Sequence, residues 1–581
     1  MDALSTIFHT GSGRDCYAAD NETLHIRLQT GIDIAAKVCL WIGDPYVWDM
    51  SPDANYKELR GWNGGEEIEM RLEATTQHSQ HWFVDYKVDK KRARYGFIIY
   101  LNDGRRMLVG ESFSADITEE KSAALELKTL YNFFCFPYIV PSDVIKTPSW
   151  VKETIWYQIY PERFFNGDPS CDPENCLPWG TENTNVGQTG GDLWGIIEKL
   201  DYLQDLGITG VYFCPVFTAE SGHKYDTIDY YSVDPTFGGN KALKVLIEEA
   251  HKRGIKVMLD TVYNHIGDKS PIWLDVVKNG EHSKYADWFY VNRFPVESGK
   301  NERDEHGVLN YESFADIVEM PKLNVQNPEC RDYLLEVTKY WTENYNIDGW
   351  RLDVAAEVGH EFWRDFRRTV KSINPDCYIV GEIWHGGMNW LRGDQYDALM
   401  NYPLGQPAID FFAHQDISKD AMVSRVNTAN LMYPKPIQEV MLNLVDSHDT
   451  SRIKTLCDGD ERRTKLLFAF LFTQPGSPCI FYGSEIGMEG AMNTSARNCM
   501  DWSEKAHQSP MKSFIKELIQ LRKENDFFKG KNVEWLETGV EQVLAYKVGS
   551  LKVILSNSSQ PEVVTIQGHN YELDTYGYQF A

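Results

Sequence analysis

Four apolar segments of this sequence end in an acidic residue, and these acids are the first candidates for chemistry. They are Asp260, Asp353, Glu382 and Asp446. Helical patterns of apolar residues precede the first three segments. Each of these segments is therefore predicted to be a buried strand that follows a helix. The strand ends of a parallel barrel share one rim, where the active site lies. One such acid would be interpreted as a helix cap, but four of them, accompanied by Arg351 and His448, predict an active site.

Two of these acids suit a reaction that needs a pair of carboxyl groups in different states. Retaining glycoside hydrolysis uses one protonated carboxyl group to assist the leaving group and one ionised carboxylate to attack. Asp353 stands two residues after Arg351 on one strand face, and a neighbouring cation should lower the pKa of Asp353 and keep it charged. Glu382 lies between apolar and aromatic neighbours (VG before it, IW after it), which should raise its pKa.

The composition excludes several classes of partner. The chain has 581 residues and a net charge of -27. Nucleic acids and anionic membranes are bound by clustered Lys and Arg, so this charge argues against both and fits a soluble protein that handles neutral ligands. No apolar run reaches the length of a membrane span, and the first residues form neither a charged leader nor a signal core. We therefore expect a cytoplasmic protein.

The order of elements along the chain predicts a multi-domain protein around a central (β/α)8 TIM barrel. Residues 1–125 alternate in the manner of β-strands and should form an N-terminal β-sandwich. Residues 126–510 should hold a joining segment and the catalytic barrel. An inserted lobe is expected at about 266–327, after barrel strand 3, because this stretch far exceeds a normal βα loop. Residues 511–581 should form the last barrel helix and a C-terminal antiparallel β-domain.

Four short motifs contain the acids and give the sequence a family resemblance. They read DTVYNH at residues 260–265, GWRLD at 349–353, GEIWH at 381–385 and VDSHD at 445–449. Each motif is weak alone, but the four in this order resemble the α-amylase family of glycoside hydrolases. The resemblance implies that Asp353 is the nucleophile, Glu382 the acid/base and Asp449 a third acid that grips the distorted sugar. The same subsite would contain His265, Arg351, His448 and, as a stacking platform, Tyr225.

Other motifs resemble the neopullulanase, cyclomaltodextrinase and maltogenic amylase branch of that family. They are MPKLN at residues 320–324, the run at 354–363 and the leading β-domain, so the resemblance covers nearly the whole chain. It implies that the donor and aglycone subsites are lined by Glu357, Trp384, Phe314 and Tyr402, and that Arg497 binds substrate. The branch usually has Asn at Ala356 and Asp at Gly359. These departures should affect acceptor binding rather than the reaction.

A cluster of oxygen-bearing residues predicts a structural calcium site. The segments NGDPSCD at residues 166–172 and GGD at 190–192 supply hard oxygen ligands, of which Ca²⁺ takes about six to eight. An isolated Asn-Gly-Asp would be interpreted as an Asx turn. The resemblance implies a Ca²⁺ site built from Asn166, Asp168, Asp172, the Gly190 carbonyl and Asp192, with Cys171 in place of a customary Asn ligand.

The resemblance implies retaining hydrolysis of α-1,4-glucosidic bonds in cyclodextrins, pullulan and short maltooligosaccharides, with some transglycosylation. A 4-α-glucanotransferase stays open as an alternative, because it needs the same carboxyl groups and differs in excluding water from the glycosyl-enzyme. An alternative of another class is a non-catalytic, amylase-like glycan-binding protein. Such a protein should lack one of the three acids, and all three are present.

Aromatic residues in loops of the N-terminal domain predict a protein interface. Tyr46, Trp48 and Trp62 are of the kind enriched as anchors in interfaces. The resemblance implies a homodimer in which this domain leans over the partner's active site. The same rings would equally suit a sugar-binding platform on a monomer.

Overall fold

Backbone contacts divide the chain into two units, which are described separately. The computed structural model describes residues 3–50, 59–182, 187–296, 307–492, 494–525 and 532–581. The first unit consists of Met1–Lys146 and Asp420–Ile437, and the second of Thr147–Lys419 and Gln438–Ala581. The first unit thus extends past residue 125 and includes a segment from the middle of the sequence range that we assigned to the barrel.

Two antiparallel sheets form the N-terminal part of the first unit. One contains, in spatial order, Cys16–Ala18, Thr23–Gly31, Ser79–Lys87 and Arg71–Thr75. The other contains Ser114–Asp116, Arg106–Val109, Ala93–Leu101, Ala35–Gly43 and Glu66–Glu69. Alternate residues such as Leu24 and Ile26 from the first sheet and Leu40 and Ile42 from the second share one apolar core. The predicted β-sandwich is confirmed.

One part of the interface prediction is wrong. Trp62, expected in a loop, is 1% exposed and packs edge-to-face against Phe133 at 4.9 Å. Tyr46 and Trp48 are exposed, at 59% and 43%. Only these two of the three rings are therefore available on the surface.

The helix Lys419–Leu431 contributes most of its length to the first unit. The Asn427 amide donates to the carbonyl of Thr75 at 2.8 Å, and the Ser424 hydroxyl accepts from the backbone N–H of Gln77 at 2.7 Å. A buried ion pair between Arg27 and Glu73, at 2.7 Å, lies in the same sheet. This sheet therefore binds a segment that is 347 to 352 residues away along the chain, a contact that no local sequence pattern could predict.

The second unit is built on eight parallel strands. In spatial order they are Ala398–Leu399, Tyr378–Gly381, Gly349–Asp353, Lys256–Val262, Gly210–Phe213, Trp156–Ile159, Ser477–Phe481 and Leu442–Asn443. A parallel bridge between Met400 and Leu442 joins the first and last strands. The predicted barrel is confirmed.

Amphipathic helices surround the barrel strands. They include Leu193–Glu198, Leu200–Leu206, Gly239–Lys252, Pro328–Tyr345, His360–Ile373, Tyr402–Ala408, Glu461–Thr473 and Pro510–Glu524. In Gly239–Lys252 the residues at helical spacing, Leu243, Leu246 and Ile247, are buried. Gly254, at φ 72°, then permits the turn into the next strand, since a left-handed conformation favours glycine.

The long connection after the strand Lys256–Val262 contains the helix Pro271–Asn279 and short 3-10 turns at Gly280–His282, Ala286–Trp288 and Phe314–Asp316. Part of the predicted lobe, residues 297–306, lies outside the described residues. The C-terminal part contains a sheet of Val533–Trp535, Val543–Val548, Leu551–Ser556 and Tyr578–Phe580, and a hairpin of Glu562–Ile566 and His569–Leu573. None of the helices in the described ranges has the length and apolarity that a bilayer crossing requires.

Candidate active site

Strand register brings the candidate acids to one end of the barrel. Asp260 pairs with Arg351 across two neighbouring strands, and Val262 pairs with Asp353. The strand Gly349–Asp353 also pairs, along its other edge, with the strand Tyr378–Gly381. There Leu352 pairs with Gly381, which immediately precedes Glu382. The three carboxyl groups therefore belong to three adjacent strands at the same rim.

A single guanidinium holds these three carboxyl groups together. Arg351 is fully buried, and its Nη1 lies 3.0 and 3.1 Å from the two oxygens of Asp260 and 2.6 Å from Oδ1 of Asp353. Its Nη2 lies 3.0 Å from Oε2 of Glu382. That same oxygen accepts the backbone N–H of Val354 at 2.9 Å. Val354 has φ 44°, a left-handed conformation that is strained for a β-branched residue and that aims its N–H at Glu382.

The pKa of Asp353 differs from the value that we expected from the sequence. Burial raises the pKa of Asp353 well above its ordinary range, and the neighbouring Arg351 opposes this without outweighing it. The prediction of a lowered pKa was wrong, because burial outweighs the effect of the cation and the negative neighbours Glu382 and Asp260 add to the rise. Burial likewise raises the pKa of Asp260 to about 7. One cation therefore faces three buried carboxyl groups, and burial raises the pKa of two of them, Asp260 and Asp353.

Two neutral histidines border the cluster. Burial lowers the pKa of His265 to about 3, and the pKa of His448 well below its usual value. His265 stacks on Phe314 with ring centroids 5.0 Å apart. His448 stacks on Tyr225 at 5.4 Å with an interplanar angle of 3°, and the Tyr225 hydroxyl donates to Asp260 Oδ2 at 3.1 Å.

Asp449 and Arg497 form the more accessible rim of the site. Oδ1 of Asp449 accepts from Nη2 of Arg497 at 3.0 Å, and its Oδ2 lies 3.1 Å from Nε2 of His448. Nε of Arg497 donates to the His448 carbonyl at 2.7 Å. The Asp449 side chain is 29% exposed, in contrast to the buried acids beneath it. It is thus placed to bind a ligand's hydroxyl groups.

Trp384 covers Glu382 from the opposite side. Its indole N–H donates to Oε1 of Glu382 at 3.1 Å, and its ring stacks on Tyr402 at 3.8 Å and 7°. Glu357, also predicted, forms a 3.0 Å ion pair with Lys322 at the edge of the site. Lys322 belongs to the MPKLN motif, but the sequence analysis had not paired it with Glu357.

These groups surround a cleft of about 540 Å³. Nine predicted residues line it: Asp353, Glu382, Asp449, Tyr225, His265, Phe314, Glu357, Trp384 and Arg497. Arg351, His448 and Tyr402 are absent from that lining and support it from behind. The sequence reasoning missed His223, Ile317, Met320, Val354, Ile383 and His385, which also line the cleft. Each of these residues lies within or near a motif or a predicted site residue in the sequence, and this position is the signal that could have identified them.

The residues predicted to bind calcium also lie together. Nδ2 of Asn166 donates to the Asp172 carboxylate at 2.7 Å, and a Cβ on Gly190 would clash with that carboxylate. Oδ1 of Asn166 is buried and has no hydrogen-bond partner within the described residues. The Asp192 carboxylate instead accepts the N–H groups of Gly167, Asp168 and Gly195.

Asn166 and Asp172 therefore fit a hard cation, whereas Asp192 mainly caps a turn and a helix. Asp168 accepts from the backbone N–H and the hydroxyl of Ser170. Across the described ranges, no group of three or more His, Cys, Asp or Glu side chains is arranged to hold a metal ion. A cation here would depend on amide and carbonyl oxygens as well.

Comparisons with known proteins agree with this geometry. Residues 158–539 match the alpha amylase catalytic domain, and residues 1–140 match the alpha amylase N-terminal ig-like domain. The chain is 43% identical over 533 residues to an intracellular maltogenic amylase of Bacillus subtilis, covering 91% of this chain and 86% of the relative. It is 40% identical over 577 residues to neopullulanase 2 of Thermoactinomyces vulgaris, covering 97% and 93%.

A solved structure of a cyclomaltodextrinase superposes with a TM-score of 0.90 at 37% identity, covering 99% of this chain and 98% of the other. The family model matches well over half of the sequence, and the whole multi-domain arrangement of elements has a counterpart in an experimental structure. The resemblance inferred from the four motifs is confirmed. The chain belongs to the alpha-amylase family of glycoside hydrolases.

Proposed function

We propose that this protein hydrolyses α-1,4-glucosidic bonds in cyclodextrins, pullulan and short maltooligosaccharides, with retention of configuration and some transglycosylation. The observation that carries the proposal is the single buried guanidinium of Arg351, which contacts both Asp353 and Glu382 at the floor of the cleft. Carboxyl groups bridged in this way lie close together, as a double displacement needs. The names of the relatives, maltogenic amylase, neopullulanase and cyclomaltodextrinase, support the substrate class.

In the proposed reaction, Asp353 attacks the anomeric carbon while Glu382 gives its proton to the glycosidic oxygen. The bond to the leaving sugar breaks and a glycosyl-Asp353 ester forms. Glu382, now ionised, then removes a proton from water or from a sugar hydroxyl, which displaces Asp353. Asp353 must be ionised to attack, and its contact with Arg351 stabilises that charge against the burial that raises its pKa.

The remaining predicted residues take binding roles in this proposal. Tyr225 offers a ring face to the sugar, and Asp449 with Arg497 binds its hydroxyl groups. Trp384, Phe314 and Glu357 line the part of the cleft where neighbouring sugar units would lie. Aromatic rings can pack against the apolar faces of sugar units, and neighbouring charged side chains can bind their hydroxyl groups. Together these features match the chemistry of a glucan.

A calcium ion is proposed as a structural cofactor, held by Asn166, Asp168, Asp172, the Gly190 carbonyl and Asp192. The buried, unpartnered oxygen of Asn166 beside the Asp172 carboxylate supports it. A bound cation would tie the loop at 166–172 to Gly190 and contribute to stability rather than to the chemical step.

We further propose that the protein is a cytoplasmic homodimer. The word intracellular in the name of the Bacillus subtilis relative supports the location. Tyr46 and Trp48 support the dimer, because they expose two rings in edge contact at 5.7 Å on the N-terminal unit. Arg92 lies over the Tyr46 ring at 4.4 Å, which completes an anchor of the type found in interfaces.

The catalytic assignment predicts the outcome of two isosteric substitutions. Asp353→Asn and Glu382→Gln should each reduce kcat on β-cyclodextrin by about four to six powers of ten with little change in Tm, because each removes a reacting group and almost no packing. Glu485→Gln is the matched control. Glu485 is also buried and accepts hydrogen bonds from two tyrosine hydroxyls, but it does not line the cleft. The kcat of the Glu485→Gln variant should therefore stay normal. Full activity in either of the first two variants would refute the roles.

The double displacement predicts the stereochemistry of the product. Two inversions at the anomeric carbon leave the first-formed reducing sugar as the α-anomer. Proton NMR recorded during the first minutes of hydrolysis, before mutarotation, distinguishes the anomers. Early accumulation of the β-anomer would show a direct displacement by water and rule out the glycosyl-enzyme.

The calcium proposal predicts a shift in thermal stability. Calcium at about 100 times its Kd contributes about 2.7 kcal/mol to the native state, so Tm should rise by several degrees over protein kept in EGTA. Asp172→Ala should abolish the rise. Asp201→Ala should preserve it, since Asp201 is exposed and pairs with Arg253 elsewhere on the barrel. An equal Tm with calcium and with EGTA contradicts the site.

The dimer proposal predicts that the double variant Tyr46→Ser, Trp48→Ser becomes monomeric in light scattering. Tyr131→Ser is the control, because Tyr131 is 84% exposed on the same unit. Point variants are preferable to deleting the N-terminal domain, since deletion would strip the helix Lys419–Leu431 of the sheet that it contacts. A wild-type protein that is already monomeric, or a double variant that stays dimeric, argues against this interface.

A further inference from the structure

Gln158 lies beneath the active site and was not marked by any motif. It belongs to the barrel strand Trp156–Ile159 and is 1% exposed. Its side-chain Nε2 lies 2.7 Å from Nδ1 of His448 and 3.7 Å from the Cys214 sulfur. An amide nitrogen can only donate, so Nδ1 of His448 must be the unprotonated, accepting nitrogen of the ring.

The other side of the His448 ring leads independently to the same tautomer. Nε2 faces the Tyr225 hydroxyl at 2.6 Å and the Asp449 carboxylate at 3.1 Å. The single Tyr225 proton is donated to Asp260. In this orientation of the Tyr225 hydroxyl, both neighbours of Nε2 are acceptors toward it, so this side also favours a proton on Nε2. A rotation of that hydroxyl would permit the other tautomer if Gln158 did not donate to Nδ1. Because burial keeps His448 neutral, the ring has only this one proton to place.

We propose that Gln158 is a positioning residue of the active site, which donates to Nδ1 of His448 and thereby keeps the imidazole proton on Nε2. From there the proton holds the Tyr225 hydroxyl and the Asp449 carboxylate in place. The hydrogen bonds then run in one direction, from Gln158 through His448 and Tyr225 to Asp260 and its contact with Arg351. This inference rests on the proposed function for its effect on catalysis, but the tautomer itself does not.

The opposite tautomer would disturb both residues that line the cleft. With the proton on Nδ1, the lone pair of Nε2 would face the Asp449 carboxylate and repel it. Nε2 would also claim the Tyr225 proton, which would leave Asp260 without that donor. His448 itself does not line the cleft, so its influence on substrate passes through Tyr225 and Asp449.

A second glutamine–histidine pair in the same barrel provides a matched control. Gln395 is fully buried, and its Oε1, rather than its nitrogen, faces Nδ1 of His360 at 2.8 Å. A carboxylate in place of Gln395 would preserve an acceptor toward histidine, and the amide donor that it removes serves Asn389 and Asp394, which do not line the cleft. A carboxylate in place of Gln158 would replace a donor by an acceptor and reverse the hydrogen bond.

The tautomer can be measured in the free, full-length protein. Nitrogen-15 NMR of histidine-labelled protein distinguishes protonated from unprotonated ring nitrogens, and His448→Gln identifies the His448 signals. We expect Nε2 to be protonated and Nδ1 unprotonated at pH 7 in wild type. A proton on Nδ1 in wild type would overturn the proposal. This readout needs no substrate, so it remains decisive even if the proposed hydrolysis fails in wild type.

The variants connect the tautomer to catalysis. Gln158→Glu should move the proton to Nδ1 and lower kcat by about 10- to 100-fold, the range found for groups that fix the tautomer of a metal-bound histidine. Gln395→Glu should leave kcat and the His448 signals unchanged. Gln158→Met, which removes the donor without adding charge, should lower kcat and allow both tautomers, and it serves if Gln158→Glu does not fold. Normal kcat, or an unchanged His448 tautomer, in a folded Gln158 variant would refute the proposal.

Discussion

The ion cluster of Arg351 is the interaction on which the rest of the site depends. Burying a charge costs several kcal/mol unless it is paired, and here one guanidinium pairs with Asp260, Asp353 and Glu382. The pairing is possible because adjacent parallel strands place Arg351 opposite Asp260 and bring Asp353 and Glu382 to the same rim. Without the guanidinium, three carboxylates would share a buried space, and they would protonate or separate.

Burial and charge are balanced differently at the floor and at the rim of the cleft. At the floor, burial raises the pKa values of Asp260 and Asp353, and the contacts of both carboxyl groups with Arg351 oppose that rise. The bordering histidines His265 and His448 stay neutral, because burial lowers their pKa values. Charge that must reach substrate is placed at the rim instead, on Asp449 and Arg497. The cleft thus has a buried floor of acids around one guanidinium and a solvated, hydroxyl-binding edge.

Much of this site was predictable because its residues lie in local patterns. Asp353 and Glu382 stand at the ends of apolar strand segments, and nine predicted site residues line one cleft. The failures concern quantities set by neighbours that are distant in sequence. The pKa of Asp353 is raised mainly by burial inside the barrel, and Glu382 and Asp260, which follow other strands or lie on them, add to the rise. Trp62 was expected in a loop, but it is buried against Phe133, which comes from a later segment.

The barrel, the β-sandwich and the positions of the acids were predictable, because alternation, helical spacing and motifs are local properties of the chain. Folding was needed to show which acids pair with Arg351, that Asp420–Ile437 belongs to the N-terminal unit, and that Gln158 faces His448. These outcomes depend on contacts between residues far apart in the chain, where burial and the direction of a hydrogen bond are set by geometry rather than by residue type.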